Sequence, residues 1–198
     1  MKRIAAFDFD GTITRKDTLI EFLRFVGGNA RFYTVFALYS PLLVLMKLKL
    51  YSNQKAKEKI FAHYFKDIAL EQFNDLCHRF FGQKGQALIY AEAKAQIAKH
   101  KAQGDEVVII SASIENWVCH FAKALKADKL LATQVEVKDG KITGRFLTAN
   151  CYGKEKVKRL LSAYQERSNY YLIAYGDSRG DKEILQFADE SHYKQFRQ

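Results

Sequence analysis

The 198-residue chain is 48% hydrophobic and 27% charged, the balance of an ordinary globular protein with one full core and room for a smaller inserted unit. Three scattered cysteines (Cys77, Cys119, Cys151) exclude a disulfide framework or a zinc site and favour a reducing compartment. The net charge of +10 favours anionic partners, whether phosphorylated metabolites, nucleic acid or acidic lipid headgroups.

In chain order, residues 3–9 (RIAAFDF) read as a buried strand. Lys2 and Arg3 supply charge at the N-terminus, without the long apolar region or small-residue cleavage site of a signal peptide. DTLIEFLRFVGG then reads as a helix capped by Asp17 and ended by Gly27-Gly28. The longest uncharged run, FYTVFALYSPLLVLM (32–46), is shorter than the ~20 residues that span a bilayer, and Pro41 interrupts it. Between residues 29 and 66 stand seven basic residues (Arg31, Lys47, Lys49, Lys55, Lys57, Lys59, Lys66) against one acid, Glu58. KEKIFAHYF, LEQFNDLCHRFF and ALIYAEAKAQIAKHKAQG continue with helical spacing.

From residue 105 the pattern changes. DEVVIISAS is a short apolar strand ending in small hydroxyl residues, and IENWVCHFAKAL is a helix. LLAT reads as a short strand, and QVEVKDGKITGRF alternates about Asp139-Gly140 as a hairpin. GKEKVKRLLSAYQE returns to helix, NYYLIAYGD (169–177) is a third buried strand, and the tail has room for one more short element. Apolar strands alternating with helices imply an α/β parallel sheet, with a helical block after the first strand.

Three strands end in functional groups: Asp8 and Asp10, Ser111 and Ser113, Asp177 and Asp181. In a parallel α/β sheet these ends share one edge, where ligands bind. Carboxylates gathered there repel one another, and a divalent cation relieves the conflict; an all-oxygen acidic set suits Mg²⁺. Taken singly, each acid or serine is as readily a turn or helix cap. Concentrated on one edge, they have no role in stability.

These residues resemble the haloacid dehalogenase superfamily. FDFDGT is similar to its first motif, VVIISAS to its second, and YGDSRGD to its fourth. NCYGKEKV offers Lys154 or Lys156 for the third, a lysine opening a helix; relatives of the form GxEKV favour Lys156. The resemblance implies a Rossmann-like core at 1–14 and 86–198, with a C1-type helical cap at 15–85. It implies a phosphatase in which Asp8 is the nucleophile and Asp10 the acid and base. Mg²⁺ is then held by the side chains of Asp8 and Asp177 and the carbonyl of Asp10, with Asp181 supporting the ion's shell. Phosphate falls to Ser111, Ser113, Thr12 and the lysine, and to the backbone at Phe9, Gly11 and Ala112.

The motifs resemble subfamily IB, which holds both phosphoserine phosphatases and a membrane-associated lipid phosphatase, phosphatidylglycerophosphatase C. No acid stands between motif I and Asp17, and no ALxxRL-like stretch occurs; Glu21 and Arg79 are poor substitutes for the ligands of a phosphoamino acid. The basic-flanked segment 31–49 suits an anionic membrane surface, and it equally suits packing within a helical cap. The substrate is accordingly a phosphorylated lipid or small molecule. The setting is the cytoplasm, or the inner face of its membrane. Trp117 and the five histidines read as packing residues. A phospho-accepting receiver module competes less well, because its aspartate ends a later strand. No module for nucleic-acid binding is recognised.

Overall fold

Strict alternation builds the first strand of the computed structural model, which describes residues 1–196. In β1 (Lys2–Phe7), Ile4 and Ala6 face one side and Ala5 and Phe7 the other, all buried. A strand apolar on both faces belongs in the middle of a covered parallel sheet.

The chain continues through α1 (Thr18–Lys47), α2 (Asn53–Phe65), α3 (Leu70–Phe80), a π turn over Phe81–Gly85, α4 (Gln86–Leu88) and α5 (Ala91–Ala102). There follow β2 (Glu106–Ile114), α6 (Glu115–Ala124), β3 (Lys129–Thr133), β4 (Val135–Lys138) and β5 (Lys141–Phe146). Last come α7 (Lys154–Ala163), β6 (Tyr170–Gly176), α8 (Lys182–Phe187) and β7 (Glu190–Tyr193), the short element expected of the tail.

The main sheet runs β3-β2-β1-β6-β7, every pair parallel. The fold is therefore α/β with a parallel central sheet, as the sequence pattern predicts. Ala5, Phe7, Val107, Ile109, Ile173 and Tyr175 pack one face against α5, α6 and the inserted helices. Ile4, Ala6, Val108, Ile110, Leu172 and Ala174 pack the other with Leu160 of α7 and Ile184 of α8. Phe7 is level with Ile109 on one side and Tyr175 on the other. That register brings the residues after β1, β2 and β6 to one edge.

The inserted helices leave and return through a narrow neck. Thr14 bridges Ile89, Arg15 N–H donates to Leu88 O, and Tyr90 N–H donates to Ile13 O. The return lies later than the expected residue 86, because the helical path runs on through the π turn to Leu88.

One local expectation is corrected. Gly28 leaves helical geometry (φ 67°, ψ 171°), yet the chain resumes helix at once instead of stopping. Pro41 sits inside that continuation without breaking it: the Ala37 carbonyl, which no proline N–H can reach, accepts the Ser40 hydroxyl at 2.8 Å.

The β4–β5 hairpin turns at Asp139 and Gly140, both at positive φ, as an Asp-Gly turn requires. Its docking is new information. Asp67 N–H donates to Ile142 O, Ile142 N–H to Ile68 O, and Leu70 N–H to Gly140 O, so the hairpin clasps the α2–α3 loop. A Cβ at Gly144 would stand 2.5 Å from that of Ala62, so glycine permits the contact with α2.

Candidate active site

The loop after β1 is a tight knot. The carbonyl of Phe9 accepts the N–H groups of Thr12, Ile13 and Thr14, while Gly11 (φ 86°) turns its own N–H to Thr14 O at 2.8 Å. This turn fixes Asp8 and Asp10 against the sheet edge. The Phe9 ring is fully buried and packs edge-on against Phe121, so only its backbone is available to a ligand. Thr12 is buried, and among the described residues its hydroxyl has no hydrogen-bond partner.

Lys156 enters from the first turn of α7, which Gly153 opens at φ 63°. Its side chain is only 2% exposed. The ammonium contacts Asp8 Oδ1, and donates to Asp181 Oδ1 at 2.6 Å and to Ile110 O at 3.0 Å. Burial acts against its charge, but Asp8 and Asp181 outweigh burial and hold it protonated. Lys154 is exposed and lies outside the site, which corrects its place among the phosphate ligands. Two residues of helix turn α7 by about 200°, so the two lysines cannot share a face.

After β6, Asp177 and Asp181 are buried. Asp181 is saturated: Oδ2 accepts Asp177 N–H at 3.2 Å, Ser178 N–H at 3.0 Å and the Ser178 hydroxyl at 2.8 Å, while Oδ1 takes Lys156. Among the described residues, Asp8, Asp177 and Asp181 offer carboxylate oxygens within 4.8 Å of one another. An all-oxygen, acidic donor set of this kind fits Mg²⁺. Asp181, with its oxygens engaged, suits support of the ion's shell better than direct ligation. Burial, with Asp181 and Asp10 adding to it against Lys156, raises the Asp8 carboxyl from 3.8 to about 7.

Asp10 is held separately, and its carboxylate is not part of the metal cluster. Oδ1 accepts Thr18 N–H at 2.7 Å and the Thr18 hydroxyl at 2.6 Å; Oδ2 accepts the Ser113 hydroxyl at 2.5 Å. Burial, and then the charge of Asp17, raise it to about 6, against the pull of these hydrogen bonds. Such a group exchanges protons near neutrality.

Ser113 is thus committed to Asp10, while its N–H donates to Ser111 Oγ at 2.9 Å. Ser111 is buried beside Ile110, whose carbonyl anchors Lys156. The β2–β3 register slips between Ser111 and Ile114, an irregularity that re-aims Ala112 and Ser113 at the sheet end.

Some contributors escaped the sequence reading. Thr18 follows the helix cap Asp17 and grips Asp10, and the Trp117 indole N–H, in addition to packing, steadies the Thr18 hydroxyl at 3.1 Å. No spacing rule links Thr18 or Trp117 to Asp10. Lys57 of α2 is half-buried within electrostatic reach of Asp17, Asp10, Lys156 and Asp8. Glu21 is paired with Lys16 and Arg24, and Arg79 pairs with Asp75 along the exposed face of α3.

Comparison with known proteins agrees with this geometry. The family model for haloacid dehalogenase-like hydrolases matches residues 5–186. Protein CicA of Caulobacter vibrioides is 33% identical over 195 residues, covering 98% of this chain and 86% of that protein. Phosphoserine phosphatase of Methanocaldococcus jannaschii is 25% identical over 186 residues, covering 91% and 79%. The fold superposes on a crystal structure of a protein of unknown function from Bordetella pertussis with a TM-score of 0.82, at 20% identity and covering 96% and 89%. Four motifs on one sheet edge and a family match along most of the sequence lead to one assignment: the chain belongs to the haloacid dehalogenase-like hydrolases, and it is a phosphatase of that family.

Proposed function

We propose that the protein hydrolyses phosphomonoesters with Mg²⁺ through an aspartyl phosphate on Asp8. The observation that carries this reading is the convergence of Asp8, Asp177, Asp181 and Lys156, with Asp10 beside them on its own hydrogen bonds. Asp8 attacks phosphorus, and the ester oxygen leaves with a proton from Asp10. Water then attacks the aspartyl phosphate as Asp10 takes a proton back, and Asp8 is regenerated. Lys156 and the Ser111 hydroxyl balance the phosphoryl oxygens. Mg²⁺, when bound by Asp8, Asp177 and the Asp10 carbonyl, supplies charge neutralisation and orientation.

The test is turnover of p-nitrophenyl phosphate by wild type and Asp8→Asn, with a search for a phosphoryl adduct on Asp8 by mass spectrometry. Equal activity in both proteins would remove Asp8 from the mechanism.

Within this reading we favour a phosphate carried on a lipid, such as phosphatidylglycerophosphate. Tyr33, Ala37, Pro41, Val44, Leu45 and Leu48 recur at helical spacing and are exposed; Tyr33 and Leu48 leave 61% and 62% of their surface uncovered. Phe32 and Val35, on the opposite side, carry the packing. Arg31, Lys47 and Lys49 flank the stripe. This arrangement supports peripheral contact with an anionic bilayer, and no helix among the described residues is long and apolar enough to cross one. The likeness to phosphoserine phosphatase supports a small soluble ester as the second reading. Relative turnover of micellar lipid phosphate and O-phosphoserine separates the two.

A further inference from the structure

The basic excess between residues 29 and 66 is only partly used by contact with a membrane. Arg31, Lys47 and Lys49 flank the apolar stripe, whereas Lys55, Lys59 and Lys66 lie beyond it on α2. These three stand at i, i+4 and i+11, so they share one face of the helix with Ala62. The β4–β5 hairpin packs on that face, because Gly144 lets its backbone approach the Ala62 side chain. Lys138 of β4 and Arg145 of β5 are thereby brought to the same place. The five cations line one cavity of about 560 Å³ between α2 and the hairpin, and none of its lining residues belongs to the phosphoryl-transfer site.

Two acids, Glu58 and Glu136, share the lining, yet they are turned to other partners. Glu58 Oε1 accepts Phe146 N–H at 3.0 Å and the Gln54 amide N–H at 3.2 Å, and Glu136 Oε2 accepts the Thr143 hydroxyl at 2.7 Å. Among the described residues, none of the five cations makes an ion pair or a side-chain hydrogen bond. Elsewhere on the surface basic side chains do meet acids, as Arg167 meets Asp189 and Arg159 meets Glu155. Lysines that serve only solubility gain nothing from being gathered around one hollow, where their charges repel.

We propose that this groove binds a soluble anion carrying two or more phosphate groups, held between α2 and the hairpin. Lys55 and Lys66 are roughly 16 Å apart along the helix axis, further than one phosphate reaches, so the row of cations suits several phosphates in succession. The volume is that of a small-molecule site. Four of the five cations are lysines, compact charges whose rotatable donors adapt to phosphate oxygens. Among the described residues, Ala62 is the only apolar side chain of the lining, so nothing there holds an acyl chain, and no aromatic ring is present to stack a nucleic-acid base. The hairpin already clasps the α2–α3 loop through Asp67, Ile68 and Leu70, and a bound anion adds a second fastening between the same two elements. This inference is independent of the phosphatase reading, since it uses none of the residues of that site.

The test titrates inorganic tripolyphosphate into the full chain by calorimetry in the presence of EDTA, with orthophosphate as the single-phosphate comparison. Lys59→Gln with Lys138→Gln removes one exposed cation from each wall; Lys99→Gln with Lys123→Gln lowers the net charge equally at exposed positions outside the groove. Thermal unfolding checks that both variants fold, and Arg145→Gln repeats the test with a single substitution. Wild type is expected to bind tripolyphosphate more tightly than orthophosphate, and less tightly as NaCl is raised. The groove variant is expected to bind it about 3- to 10-fold more weakly, with the Lys99 and Lys123 variant close to wild type. No binding by wild type, unchanged affinity in the groove variant, or equal weakening in both double variants would overturn the proposal. Failure to bind tripolyphosphate, together with co-sedimentation on phosphatidylglycerol vesicles that the groove variant loses, would overturn it in favour of a lipid headgroup.

Discussion

Asp8→Asn should abolish turnover and, in the metal-free protein at alkaline pH, raise stability. The Asp8 side chain is 10% exposed, and its carboxyl is raised from 3.8 to about 7 by burial and by the neighbouring acids. Roughly three units at 1.36 kcal/mol each make the ionised carboxylate cost about 4 kcal/mol in the folded state relative to the unfolded one. The sign follows from proton uptake. Between pH 4 and 7 the folded protein holds a proton on Asp8 that the unfolded chain has lost, so stability falls as pH rises, and above pH 7 the whole cost applies. Asparagine removes that cost but weakens the Lys156 contact, so a net gain of about 2 kcal/mol, or roughly 4–8 °C in Tm, is expected at pH 8. At pH 5 most of this advantage disappears. Mg²⁺ should raise the Tm of wild type at pH 8 more than that of the variant, since the ion compensates a charge only wild type has. Thermal scans at pH 5 and 8, with EDTA and with Mg²⁺, read all four conditions. A variant less stable than wild type at pH 8 by as much as at pH 5, without metal, would refute the claim that Asp8 is a strained buried acid.

Removing the lysine acts in the other direction. Lys156→Met leaves Asp8 and Asp181 buried without their cation and should cost about 3–5 kcal/mol in chemical denaturation, with loss of turnover. Ser113→Ala deletes a hydrogen bond that favours ionised Asp10, so the alkaline fall in kcat/KM for an alkyl phosphate should move to higher pH; an unmoved profile would separate Ser113 from the acid. Leu38→Glu with Leu48→Glu places charges on the exposed flank of the inserted helix and should reduce co-sedimentation with anionic vesicles, while equal binding would leave the stripe without a membrane role.

Much of this molecule was legible because its information is local. β1, β2 and β6 announce themselves as short apolar runs, and each ends in the residues that matter. Their parallel pairing then places Asp8, Ser111 and Asp177 together without further instruction. What the sequence conceals is the partner of a side chain across the fold. Thr18 is unremarkable after a helix cap, and Trp117 looks like core filling; together they orient Asp10 over 99 residues of separation between them. The choice between Lys154 and Lys156 needed the phase of α7. The survival of helix through Pro41 needed a serine hydroxyl aimed at the carbonyl that proline orphans.

The placement of these hidden residues also joins the inserted helices to Asp10. Asp10 comes from the sheet edge, but two of its three hydrogen bonds come from Thr18, the first residue of the inserted helices. The β4–β5 hairpin holds the same insertion through Asp67, Ile68 and Leu70. A displacement of the insertion therefore does not stay within it. It also disturbs the donors that counter the burial of Asp10, and so raises the proton affinity of the acid. Asp8 instead contacts Lys156 of α7, which also holds Asp181. Asp8 is thus supported from the core, and Asp10 in part from the insertion.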